Sequence, residues 1–378
     1  MGTAEPLVII DRKPTPVSSE RGTVCAEVPA PSDPTLVARA TAARAALGDQ
    51  VVILGHHYQR DEVIAFADAR GDSYKLCVYA AETGAPTVIF LGVHFMAESA
   101  DILTPPEVQV LLPDLAAGCS MADMATHGQV LEAWEVLEQI VPGGTTPITY
   151  MNSSAAIKAF TGRNGGAVCT SSNAQKALTW AFAQRERVLF LPDQHLGRNT
   201  ALDMGYAPDE LAVWNPWQDL GGLTEEQIAN AKVLLWKGHC SVHQRFAPEH
   251  VHAVRAKLPG VRVIVHPECR HEVVELADEV GSTEHILRTI AASPAGSVWA
   301  VGTELNLVSR IAKEHPDKTI AFLEDTVCFC ATMNRIDLPH LVWIMEELLE
   351  GRVQNQITVD PATAADARLA LDRMLQLA

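Results

Sequence analysis

No apolar stretch in these 378 residues approaches the ~18 that a membrane-crossing helix needs. The opening MGTAEPLVII has no basic leader followed by a long apolar segment, so a cytoplasmic location and no membrane partner are expected. Basic charge is scarce too: 29 Lys and Arg stand against 46 Asp and Glu, a formal net charge of −17. This balance argues against nucleic acid and anionic membrane surfaces as main partners, so any anionic ligand must be held locally. A disulfide framework is also missing. The eight cysteines (Cys25, Cys77, Cys119, Cys169, Cys240, Cys269, Cys328, Cys330) are scattered, and in a reducing compartment they are free thiols or metal ligands.

What is present is enough to fold. With 48% apolar and 20% charged residues the chain can bury real cores, and its length predicts two or three domains. Residues 1–34, with PTPVSSE and PAPSDP, read as a loosely ordered extension in which Cys25 is incidental. Helical spacing follows from Pro34 to Leu47, then the strand VVIL. From there strands and helical stretches alternate, which predicts an α/β fold with parallel sheets.

The alternation repeats three times. VVILGHHY (51–58), PITYMNSS (147–154) and VRVIVHPEC (261–269) are apolar strands running directly into polar residues. Each leads to a Ser-led helix, at Ser73, Ser171 and Ser282, and then to a second strand beginning at Val88, Val188 and Val298. The intervals from serine to strand are 15, 17 and 16 residues. A third strand in each repeat (VQVLL, KVLLW, TIAFL) ends just before Cys119, Cys240 and Cys330.

Open parallel sheets bind ligands at the carboxyl ends of their strands, beside helix N-termini. Three similar Rossmann-like αβα domains facing a pseudo-threefold axis would therefore pool their strand ends in one central site. The expected division is 35–125 together with C-terminal helices in 337–378, then 126–243, then 244–336. Three converging thiolates suit zinc or a [4Fe-4S] cluster. Structural zinc would want a fourth ligand, from His243 or Cys328. A cluster on three cysteines leaves one iron open to act as a Lewis acid.

Cys330 is the better ligand of its pair. Leu112 to Cys119 and Leu323 to Cys330 are both seven residues, and Ser120, Ser241 and Ala331 put a small residue after each chosen cysteine, whereas Phe329 follows Cys328. Cys77 and Cys169 read as core, and Cys269 beside Glu268 as a weaker candidate.

GHHYQ (55–59), GDS (71–73), YMNSSAAIKA (150–159), CTSSNA (169–174), GHCSVH (238–243), VHPEC (265–269), GST (281–283) and CATMN (330–334) occur in this order. Together they resemble the quinolinate synthase family, over about residues 36 to 350. The resemblance implies an oxygen-sensitive [4Fe-4S] cluster on Cys119, Cys240 and Cys330 in a pseudo-threefold protein. It implies condensation of iminoaspartate with dihydroxyacetone phosphate to quinolinate, phosphate and water, with an aspartate oxidase or dehydrogenase supplying the imine in transient contact. Two features depart from the family pattern: the N-terminal extension, and the Cys328-Phe329 spacing before the last cysteine.

Such substrates carry two carboxylates and a phosphate, and helix starts at Ser73, Ser171 and Ser282 with Thr283 offer amides and hydroxyls for them. His56 is expected to bind the phosphate or carbonyl end, and Tyr58 to transfer a proton. Glu268 is the expected general base, with His266 as its partner. Tyr150 and Asn152 would hold a carboxylate and the developing imine nitrogen, and His243 a substrate or enolate oxygen. His94 and His195 read as domain contacts, Lys158 and Arg270 as surface-solvated. Rival readings are another cluster-bearing hydro-lyase and a non-enzymatic iron-sulfur or zinc sensor. Polar sets at strand ends and the lack of a DNA-binding helix or basic patch count against the sensor.

Overall fold

The computed structural model describes residues 28–324, 326 and 329–377. Most of the expected N-terminal extension, including Cys25, lies outside the described residues, as does Cys328.

Three sheets share one strand order. The first contains β1 (Val51–His56), β2 (Ala69–Gly71), β3 (Thr87–Leu91) and β4 (Gln109–Leu111), paired in parallel as β2-β1-β3-β4. The second contains β5 (Thr145–Tyr150), β6 (Ala167–Cys169), β7 (Arg187–Leu191), β8 (Leu211–Trp214) and β9 (Val233–Trp236), ordered β6-β5-β7-β9-β8. The third contains β10 (Arg262–Val265), β11 (Glu279–Val280), β12 (Val298–Gly302) and β13 (Thr319–Phe322), ordered β11-β10-β12-β13. Strands such as TVIFL and VLLW are buried along their whole length because helices cover both faces of the sheet. This is why they read as continuous apolar runs and not as alternating ones.

The expected α/β class with parallel sheets is therefore present, and the three long strands of each repeat fall where the spacing predicts. The edge strand β6 ends at Cys169, where a strand end is expected, but the edge strands β2 and β11 and the extra strand β8 were not legible in the sequence. β2 and β11 span only three and two residues and carry no periodicity to detect.

The C-terminal segment reaches two sheets. β14 (Gln356–Ile357) pairs antiparallel with β4, and the Leu338–Leu349 helix is joined to the Leu36–Leu47 helix by a two-pronged Arg39–Glu346 ion pair at 2.6 and 2.8 Å. The last helix, Pro361–Gln376, lies instead on the Ala155–Arg163 helix beside the second sheet, where Arg163 pairs with Asp366 at 2.9 Å. Gly162 permits that approach: a Cβ there would sit 1.9 Å from the Asp366 carbonyl oxygen. No helix among the described residues is long and apolar enough to cross a membrane.

Candidate active site

Each cysteine stands in the same turn. Past β4, β9 and β13, the carbonyls of Cys119, Cys240 and Cys330 accept from the amide four residues on, of Asp123 (3.1 Å), Gln244 (2.9 Å) and Asn334 (3.0 Å), and each turn continues as one turn of 3-10 helix. Gly238 lets the middle turn pack closely, since a Cβ there would lie 2.2 Å from the Pro192 carbonyl oxygen. The three turns open onto one cavity, which Cys119, Cys240 and Cys330 line together. Of the other residues singled out from the sequence, His56, Tyr58, Ser73, Tyr150, Asn152, Ser171, His266, Glu268 and Thr283 line it too.

Two of them arrive by a shared local device. The Nδ1 of His56 accepts the amide of Tyr58 (3.2 Å), and the Nδ1 of His266 accepts the amide of Glu268 (3.3 Å). An acceptor Nδ1 puts the proton on Nε2, so both rings are neutral and carry a donor. Burial agrees with this, since it pulls both histidines down to about 3. Their ordinary value is near 6.5, so between pH 6.5 and 3 the unfolded chain binds protons that the folded one refuses. Stability is full above pH 6.5 and falls as pH drops, by up to about 1.4 kcal/mol per pH unit for each histidine. Lowering the pH from about 6.5 to about 5 is accordingly expected to reduce the urea midpoint of the metal-free protein, and His266→Asn to flatten that dependence.

Behind the cavity wall runs a hydrogen-bonded chain. Glu268 Oε2 meets His243 Nδ1 at 2.8 Å; His243 Nε2 meets Thr303 Oγ1 at 3.1 Å; Thr303 Oγ1 meets the Tyr58 hydroxyl at 3.0 Å; and that hydroxyl reaches Thr283 Oγ1 at 3.3 Å. The imidazole bonded to Glu268 is thus His243, while His266 Nδ1 stands 3.8 Å from Glu268 Oε1, already occupied by the Glu268 amide, and its ring stacks on His243 at 4.6 Å. Burial alone would raise the pKa of Glu268, but His266, His243 and a hydrogen bond from Tyr150 outweigh it, and the carboxyl is held low, as a carboxylate. Burial beside that carboxylate pushes the Tyr58 and Tyr150 phenols well above their usual value, so both are proton donors at neutral pH.

A profile of the family described as "Quinolinate synthetase A protein" matches residues 40–376. A quinolinate synthase of Nocardioides sp. is 61% identical over 373 residues, covering 96% of this chain and 95% of that protein. One of Streptomyces coelicolor is 59% identical over 377 residues (98% and 95%), and one of Acidobacterium capsulatum 58% over 354 (91% and 94%). The chain belongs to the quinolinate synthase family.

For a quinolinate synthase fold the fit of a metal group is decided by the donors. Burial raises the Cys119 thiol to about 12, the Cys240 thiol well above its usual value, and the Cys330 thiol as well, and neighbouring charge adds to the rise at all three. Buried thiols of this kind give up their protons to a bound cation and to little else. Cys240, His243 and Glu268 also form a group that could hold a metal ion. Both nitrogens of His243 are engaged, however, one by Glu268 and one by Thr303, so the three-thiol set is the better fit.

Some expected residues stand elsewhere. Ser282 lines a neighbouring cavity, and its hydroxyl caps its own helix by accepting the His285 amide at 3.3 Å. His243 lies behind the wall. Ser73 is the first helical residue under the cap Asp72, and Ser171 precedes the helix that begins at Ala174. Lys158 is not surface-solvated: it is fully buried, its ammonium 5.3 Å over the Phe95 ring centroid and donating to the Ser153 carbonyl. Arg270 is half-buried and donates to the Gln244 carbonyl at 2.9 Å, and His195 contacts Gln244 as a link between the second sheet and the Cys240 turn. Cys77, Cys169 and Cys269 are core. Thr303, at the end of β12, was missed; the ends of the second strands carried the only signal for it.

Proposed function

We propose that this chain makes quinolinate for NAD biosynthesis, condensing iminoaspartate with dihydroxyacetone phosphate with loss of phosphate and water, and that Cys119, Cys240 and Cys330 hold a [4Fe-4S] cluster. The observation that carries the reading is the convergence of three thiols, two neutral histidines and one buried carboxylate on a single cavity. When bound, such a cluster supplies a Lewis acid for a hydroxyl or carboxylate oxygen. The shared strand order of the three sheets and the common turn at the cysteines support a pseudo-threefold arrangement of three domains.

The chain's own residues then divide the work. Ser73, Ser171, Asn152 and Thr283 bind the anionic groups with hydroxyls and amides, which reconciles an acidic protein with acidic substrates. His56 and His266 donate Nε2–H to substrate oxygens. Glu268, as a carboxylate, takes the proton lost from carbon, oriented by His243 and Tyr150. Tyr58 returns a proton to a leaving oxygen, its hydroxyl held in place by Thr303 and Thr283.

The test is direct. Anaerobically prepared, iron- and sulfide-replete protein, given enzymatically generated iminoaspartate and dihydroxyacetone phosphate, is expected to release quinolinate and phosphate in equal amounts. A cluster-replete protein that makes neither would overturn the assignment.

A further inference from the structure

The helix that follows the second long strand of each sheet reaches across to the next sheet and grips the backbone of the loop that carries its chemistry. On the His94–Leu103 helix beside the first sheet, Glu98 Oε2 accepts the Ala155 amide at 2.9 Å, at the end of the loop that follows Tyr150 and Asn152. On the Gln194–Asp203 helix beside the second sheet, Asn199 Nδ2 donates to the carbonyls of Pro267 and Cys269, both at 2.8 Å, on either side of Glu268. Its Oδ1 faces His271 Nδ1 at 3.0 Å. On the Leu305–Glu314 helix beside the third sheet, Arg310 donates to the carbonyls of His57 (2.8 Å) and Gln59 (2.5 Å) and to Asp61 Oδ1 (2.9 Å), and Asn306 donates to the carbonyl of Tyr58 at 3.0 Å.

The order is cyclic: first sheet to second, second to third, third to first. Asn199 and Arg310 are each the sixth residue of their helix and Glu98 the fifth, so two adjacent positions of the repeat have been turned to one task with three different side chains. Asn199 and Arg310 are buried; the Asn199 amide nitrogen donates to two carbonyls of another sheet's loop, and the Arg310 guanidinium to two such carbonyls and to the Asp61 carboxylate. A core residue would not need this, because an apolar side chain of equal size packs as well without polar groups to satisfy.

We propose that Glu98, Asn199 and Arg310 are positioning residues that link the three reactive loops into a closed ring, so that Tyr150 with Asn152, Glu268, and His56 with Tyr58 each take their place from the neighbouring domain. The cavity is then complete only when all three contacts are made. This rests on the function proposed above for what the loops do, but not for how they are held.

Amide hydrogen exchange separates the two. In Asn199→Ala, exchange at residues 266–270 is expected to rise while the Gln194–Asp203 helix keeps its protection, and in Arg310→Ala the same is expected at residues 57–60. Asn199→Asp, which keeps the shape but cannot donate, should match Asn199→Ala. Turnover should fall by about 100-fold in each, in kcat more than in KM, as expected for a misplaced catalytic group, with iron content unchanged. Glu98→Gln, whose amide oxygen still accepts, should restore most of what Glu98→Ala loses. Unchanged exchange in the neighbouring loop of Asn199→Ala, or kcat within about threefold of the parent despite increased exchange, would overturn the ring. Should Arg310→Ala fail to fold, Asn199→Ala alone decides. An inactive parent protein with the expected exchange pattern would remove the proposed reaction and leave the ring standing.

Discussion

Replacing Cys119, Cys240 or Cys330 singly by alanine is expected to take anaerobically purified protein from about four irons per chain to well under one, with loss of the broad visible absorbance of an iron-sulfur cluster. Cys77→Ala and Cys328→Ala should keep the iron. The three thiols share one cavity, while Cys77, Cys169 and Cys269 are fully buried in the cores and do not line it. Removing one of three leaves two thiolates, and His243 cannot step in without abandoning Glu268 and Thr303. Each thiol is costly to ionise in the absence of a cation, so a partial site should not linger as an anionic dithiolate but revert to neutral thiols. Stoichiometric zinc in the parent protein, or a Cys330→Ala variant that retains its iron, would sink the assignment.

The cysteines could be read from the sequence because three repeats check one another. Cys240 alone is an ordinary residue after a strand, but Cys119 and Cys330 hold matching places, and the turn common to all three is the reason those places match. The strand-end sets were legible for the same reason, since a parallel strand must deliver its last residues to the edge where the helices begin. What stayed hidden depends on long-range meetings. Ser282 stands at a helix start as expected, but whether a serine faces a cavity or caps its own helix is a competition between two hydrogen bonds that spacing does not decide. Lys158 is buried because Phe95, from the first sheet's helix, comes to cover it. Thr303 matters only because Tyr58 and His243, 245 and 60 residues away in sequence, both reach it.

Glu268→Gln should reduce kcat by about a thousandfold or more, within the range a general base contributes, and leave the cluster in place. The substitution keeps the shape: an amide oxygen can still accept from His243 and Tyr150, so the ring stack and the Thr303 contact have no reason to move. It removes the buried carboxylate of the cavity; Asp72, the other carboxyl on the lining, is engaged in capping the helix that starts at Ser73. The base is in its active form through the neutral range, because its pKa is held below the usual carboxylate value, so no pH in that range should rescue the variant. The depressed pKa means that the folded site favours the carboxylate more than water does, so Tm should fall somewhat, and retained iron in a cooperatively folding variant distinguishes lost chemistry from lost structure. Quinolinate should still bind, since the anion-holding hydroxyls are untouched. Near-normal turnover would shift the proton-abstracting role away from Glu268 and leave His243 with no carboxylate-dependent part in it; loss of iron together with activity would mean that Glu268 acts on the Cys240 side of the cavity and not on substrate.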